Sequence, residues 1–425
     1  MKPKRIHKVL IPGMFFIVAG YGVVFFSDTI SSTDLSYSSE NYQSIEPAEK
    51  KFIATHIPTP EPLKAIYMTG WVAGSSKLRD GLVKLVNETE LNAVVIDIKD
   101  YSGKLSYVSE SPILAVADSS EERIIDIREF IQRLHDNNIY VIGRITVFQD
   151  PFYARKHPEL AVKKESDKTL WADKKGINYI DPGSREFWDY IVEIARVARA
   201  DGFDELNFDY IRFPSDGDMT DIYYPFSDAR IVADAKWGKA VVLEEFFKYL
   251  NENLTSTGAV LSADLFGMTT TNPDDLNIGQ VLERTMPYFD YIAPMVYPSH
   301  YPSSFIGLGN PNSDPYRVVN YSMVEAVRRA RATTTFISAL THTLISTSTR
   351  PYTYKKDAYS PLVLRPWLQD FDYGGNYDVA EVKAQIQATY DAGLTSWMLW
   401  APSNVYTRGA LFPEKEGSTV VPLYE

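Results

Sequence analysis

The sequence predicts a (β/α)8 barrel of the TIM type, set behind an N-terminal transmembrane anchor and a flexible linker. Three observations predict it. Eight short runs rich in aliphatic, β-branched and aromatic residues recur along the chain, at 65–71, 93–98, 140–148, 205–213, 259–266, 291–297, 364–371 and 396–400. Amphipathic segments of helical period lie between them, and strands alternating with helices argue for parallel βαβ units. No G-x-G-x-x-G turn follows an early strand, which disfavours a doubly wound dinucleotide-binding sheet.

The elements follow in chain order. Lys2, Lys4, Arg5 and Lys8 form a basic flank over residues 1–8. An uncharged apolar run fills 9–26, which at ~18 residues is just long enough to cross a bilayer. The basic side stays cytoplasmic, so the remainder is expected outside a single-pass cell membrane anchor. Val23-Val24-Phe25-Phe26 lacks the small residues of a signal cleavage site, although a cleaved signal is the alternative. Residues 27–62 carry Ser, Thr, Glu and Pro, end in Pro58-Thr59-Pro60-Glu61-Pro62, and show no period, so a linker is expected there. The barrel is placed at 63–412 and a tail at 413–425.

Within the barrel, helix-like segments at 78–89, 124–137, 185–199, 232–253 and 379–392 precede the second, third, fourth, fifth and eighth strands. Several connections are long, and most follow a strand directly. In a barrel this puts them on the carboxyl-end face, where active sites sit. The stretch 341–359, rich in Thr, Ser and Tyr, reads as an insertion before the seventh strand.

Composition narrows the chemistry. The 425 residues have a net charge of −12, which argues against a nucleic-acid partner. There is no cysteine, so disulfides, thiolate metal sites and thiol nucleophiles are excluded. The six histidines form no H-x-x-x-H pair, and no G-x-S-x-G elbow or phosphate-binding loop is present. Asp216, Asp218 and Asp221 make a poor match to a calcium loop and read as a solvated acidic turn. No metal or cofactor is expected.

What remains is a set of carboxylates inside or at the ends of apolar strands: Asp97, Asp209, Asp264 and Asp370. Barrel strands are buried on both faces, so each is costly without a partner or a task. Glycoside hydrolysis needs such groups, one acid to protonate the leaving oxygen and one carboxylate to attack or to activate water. Asp209 and Asp264 lie on adjacent strands, and crowding two carboxylates raises the pKa of one. Asp209 is therefore assigned as nucleophile and Asp264 as general acid/base, with Asp370 stabilising the transition state or gripping substrate. Arg212 is two residues past Asp209, so strand alternation puts both on one face, where it would keep Asp209 ionised or form a buried structural ion pair with it. Tyr297, Trp367 and Trp400 offer flat rings to sugars, with Trp71 a weaker candidate, and His300 a hydrogen bond. Trp397 and Trp400 face opposite ways, and Trp400 is placed in the cleft.

The chain resembles the glycoside hydrolase-like domain of bacterial envelope proteins, a barrel distantly similar to the α-amylase superfamily. The likeness covers about 62–412. It rests on residues 203–217, which read FDELNFDYIRFPSDG, with APMVYPSHY at 293–301, Asn310-Pro311, RPWLQDF at 365–371 and WMLWAPSNVY at 397–406. The resemblance implies a polysaccharide or cell-wall glycan as partner, and matches Asp209 to the amylase-like nucleophile. The chain departs from that pattern at Asp264, where the amylase-like acid is Glu. Three readings follow: an envelope glycosidase, a catalytically inactive barrel that binds glycan, and a structural or partner-binding envelope protein.

Overall fold

The computed structural model describes residues 52–413 except position 349. The basic flank, the apolar run at 9–26, most of the expected linker and nearly all of the tail lie outside the described residues. Among the described residues no helix is long and apolar enough to cross a membrane.

Eight parallel strands close into a barrel: β1 (Lys64–Met68), β2 (Ala93–Lys99), β3 (Tyr140–Thr146), β4 (Glu205–Asp209), β5 (Val260–Phe266), β6 (Tyr291–Met295), β10 (Trp367–Gln369) and β11 (Trp397–Trp400), with β11 pairing back onto β1. All eight expected strands are present. Most end earlier than their apolar runs, because the chain turns out of the sheet at the carboxyl rim. Between β6 and β10 an inserted antiparallel sheet is built from β7 (Thr334–Thr335), β8 (Thr343–Ser346) and β9 (Thr353–Lys355) in the order β7-β9-β8.

The helices form where capping and periodicity agree. Ser184 accepts from the Phe187 N–H to start Arg185–Asp201, and Gly202 ends it at φ 118°. Asp378 and Glu381 make a reciprocal capping box for Val379–Asp391. Pro315–Arg331 starts with Asp314 as cap and Pro315 in its first turn. Their apolar faces pack on the outside of the barrel with Ile66, Val94, Ile96, Val141 and Leu206 in one large cluster.

Alternate strand residues point inward and fill the barrel from one end to the other. At the amino end Arg365 pairs with Glu205 at 2.9 Å, and the Tyr140 hydroxyl donates to the same carboxylate. Ala65, Ala93, Val95, Ile142 and Met398 form an apolar middle. The polar residues above it, at the carboxyl end, are the site. The close of the expected linker is also ordered against this core: the Ile57 N–H donates to Asp204 at 2.9 Å, and Thr59 and Tyr140 share a hydrogen bond of 2.9 Å.

Candidate active site

Strand register builds the site. Asp97, Arg144, Asn207 and Ser262 lie side by side on β2, β3, β4 and β5. Residues in register on parallel strands project to the same side, so these four form one inward row. Asp209 and Asp264 stand one inward position further toward the carboxyl rim. Both are nearly inaccessible, 4% and 1% exposed.

The two carboxylates have different settings. Asp209 receives the Arg144 guanidinium, Nη2 at 2.6 Å and Nε at 3.1 Å on Oδ2, while the Tyr210 N–H reaches Oδ1 at 2.6 Å. Charge-assisted bonds of this kind are shorter and stronger than neutral ones. Arg144 is shared: its Nη1 donates to Asp97 at 2.7 Å, and the Tyr67 hydroxyl closes the far side of Asp97 at 2.5 Å. Asp264 has only neutral donors, Asn207 Nδ2 at 2.9 Å and Trp367 Nε1 at 2.8 Å, both on Oδ1. Burial, reinforced by the negative charge of Asp209, pushes the Asp264 carboxyl well above the usual carboxylate range. One carboxylate is thus paired with a cation, while its neighbour has neutral donors and resists ionisation.

They open onto a cavity of 320 Å³ at the carboxyl end of the barrel, whose wall includes Arg144, Arg212, Phe266, Tyr297, His300, Trp367 and Trp400. Trp400 lies flat on Tyr67 with centroids 4.0 Å apart, and Trp367 meets it edge-on at 5.5 Å. Stacking from below fixes the Trp400 ring. Burial lowers the His300 pKa, so its imidazole is a neutral hydrogen-bonding group.

Seven residues expected in the site meet there: Asp209, Asp264, Arg212, Tyr297, His300, Trp367 and Trp400. Two do not reach the cavity. Asp97 lies beneath it, behind Arg144. Asp370 is turned aside, accepting from the Thr407 N–H at 2.9 Å and its hydroxyl at 2.6 Å, because it lies three residues past the inward Trp367 and alternation gives it the other face. Arg212 does not pair with Asp209. Tyr210 adopts φ 52°, the strand ends at Asp209, and the two-residue alternation no longer applies. Arg144 takes that role instead. Trp71 is 65% exposed on the helix Gly70–Ala73, and Trp397 faces outward, its Nε1 donating to Tyr390. In the acidic turn, Asp218 accepts from Thr220 and Asp221 from Ser166, and no metal-binding group of three acids or histidines occurs among the described residues. Arg144, Asn207 and Tyr67 were not anticipated. The signal for Arg144 was a cation inside the apolar run at 140–148.

The family described as "Putative glycosyl hydrolase domain" matches residues 65–406. The chain belongs to this family. No curated protein matches it. Among solved structures, a hypothetical protein from Ruminiclostridium thermocellum is 37% identical over 47% of this chain and 96% of its own, with a TM-score of 0.42. The PgaB (BpsB) glycoside hydrolase domain of Bordetella bronchiseptica is 13% identical over 84% of this chain and 100% of its own, with a TM-score of 0.57. The second likeness is one of fold, and the fold is the barrel described above. In this glycosyl hydrolase domain the paired carboxylates stand at the end of the barrel where TIM-type enzymes carry their active sites.

Proposed function

We propose that the chain hydrolyses a glycosidic bond of a polysaccharide, with Asp264 as the acid and Asp209 as the nucleophile. The observation that carries this is the adjacency of a neutral, buried carboxylic acid and an arginine-paired carboxylate at the floor of an aromatic cavity. Asp264 gives its proton to the leaving oxygen as the C–O bond breaks, and Asp209 closes on the anomeric carbon. The Asp264 carboxylate then takes a proton from the water that cleaves the glycosyl ester. Neighbouring strands are ~4.8 Å apart, which suits the ~5–5.5 Å carboxyl separation of retaining enzymes. Trp400 and Trp367 offer faces and edges to sugar rings, and Tyr297 and His300 hydrogen bonds to their hydroxyls.

The burial of both carboxylates favours one other reading, a barrel that binds envelope glycan without cleaving it. Incubation with a panel of wall and capsule polysaccharides separates the two. Reducing ends released by the native protein and not by Asp209→Asn or Asp264→Asn support hydrolysis. Glycan binding that survives both substitutions, with no new ends, supports the binding barrel. In the same proposal residues 9–26 anchor the chain in the cell membrane and the barrel works outside. Digestion of the barrel by protease added to intact cells tests that placement, and protection would contradict it.

A further inference from the structure

Arg212 has no acid. It is 7% exposed, lines the cavity, and forms no ion pair with any described residue. Its Nη1 donates to the Phe213 carbonyl at 3.0 Å. Around the guanidinium stand the rings of Phe266 at 4.9 Å, Tyr210 at 5.0 Å and Tyr179 at 6.0 Å. Such rings hold a cation in place without neutralising it. The backbone is pinned as well: the Phe213 N–H donates to the Ile278 carbonyl at 2.9 Å, and Gln280 reaches the Ile211 carbonyl.

A largely buried cation without a counter-charge is costly. The other buried arginines of the barrel interior are matched, Arg144 by Asp97 and Asp209, and Arg365 by Glu205. Asp209 is therefore already paired with Arg144, and Asp264 is held by the neutral donors Asn207 and Trp367. What is left over in the cavity is one fixed, preorganised guanidinium facing the space a ligand would fill.

We infer that Arg212 selects an acidic polysaccharide, by receiving a carboxylate borne on a sugar ring beside the bond held at Asp209 and Asp264. A guanidinium fork matches a carboxylate in shape and charge. The chain as a whole carries −12, so its overall field repels a polyanion and the selection must act at contact. The inference rests on the glycan reading of the site, and names its substrate class.

The test compares polygalacturonate, alginate and hyaluronan with the same polymers after chemical reduction of their carboxyl groups. Binding is read by affinity electrophoresis and cleavage by reducing ends, on the unmodified protein first. At least one acidic polymer is expected to retard the protein, and its carboxyl-reduced form to bind about tenfold to a hundredfold more weakly. Arg212→Gln should bring the acidic polymer down to the reduced one, and Arg212→Lys should recover part of the difference. Circular dichroism confirms that both variants fold. Equal binding of the acidic and reduced forms, or no binding of any acidic polymer, overturns the inference, and neither result needs a variant. Selective binding without cleavage upholds Arg212 and counts against hydrolysis. Cleavage that ignores the carboxyl groups upholds hydrolysis and removes the role given to Arg212.

Discussion

Asp209 and Asp264 are one residue type a strand apart, yet Asn in their places should act in opposite directions on stability. Asp209→Asn removes the charge that Arg144 binds with two nitrogens, and leaves that buried guanidinium to Asp97 alone. A loss of about 3 kcal/mol is expected, measured by urea unfolding. Asp264→Asn keeps the shape and the Oδ1 acceptor for Asn207 and Trp367, and removes a group that resists ionisation. An unfolded Asp titrates near ~3.9. The folded value is raised, so the folded state binds this proton more tightly. The group's contribution is complete below the unfolded value and is lost as pH rises through the folded one. The variant should match the native protein in acid and exceed it by about 1 kcal/mol at neutral pH, while losing activity. A variant that is less stable at neutral pH would contradict the assignment of Asp264 as the acid. At this scale the carboxylates were legible because charge inside an apolar strand is conspicuous. Arg144 gives the same signal from its place after Gly143, and is the partner that makes the other charges tolerable. Only the fold shows that it reaches both Asp97 and Asp209.

Single strands and their exits set what each residue does. On β10, Trp367 points inward and donates to Asp264, a bond that favours the ionised form and lowers its pKa. Trp367→Phe keeps the ring edge against Trp400 but removes the donor. The Asp264 pKa should rise, and the basic limb of the pH profile of kcat/KM should move to higher pH. A limb that stays in place, or moves down, would show that another group supplies the proton. Three residues on, Asp370 does not line the site cavity and ties the exit of β10 to the segment after β11. Asp370→Ala should cost about 1 kcal/mol, through the partly buried Thr407 N–H and hydroxyl left without their acceptor, and leave the shape of that profile unchanged. The eight strands were legible because each is a run of apolar residues bounded by polar turns. Their exits were not, since the left-handed Tyr210 is invisible to alternation, and with it went the expected pairing of Arg212. The helix Pro315–Arg331 is not among the expected helical segments, although Asp314-Pro315 followed by Val318, Val319, Ser322, Met323 and Ala326 carries both a cap and a helical period.

The barrel as a whole divides its polar residues between two ends. The carboxyl end holds the mismatched carboxylates and a guanidinium with no acid partner among the described residues, and the amino end holds groups that are paired for stability. Asp204 belongs to the amino end. It is buried, and accepts from the Ile57 and Val141 N–H groups at 2.9 Å while His135 Nε2 lies 2.8 Å away. The segment that brings Ile57 there reads as a spacer, because Pro58-Thr59-Pro60-Glu61-Pro62 has neither period. Its order comes from partners on distant elements, Asp204 and Tyr140, which composition cannot reveal. Two chains that differ only in beginning at residue 53 or at residue 60 test this. The shorter one leaves Asp204 Oδ1 without the Ile57 N–H and removes the Thr59 partner of Tyr140. It should unfold at lower urea, with stability reduced by about 2 kcal/mol. Because the cavity is at the opposite end, its pH profile and glycan preference should be those of the longer chain. Equal stability would return residues 53–59 to the spacer that their composition describes, and a changed pH profile would mean that the two ends of the barrel are coupled.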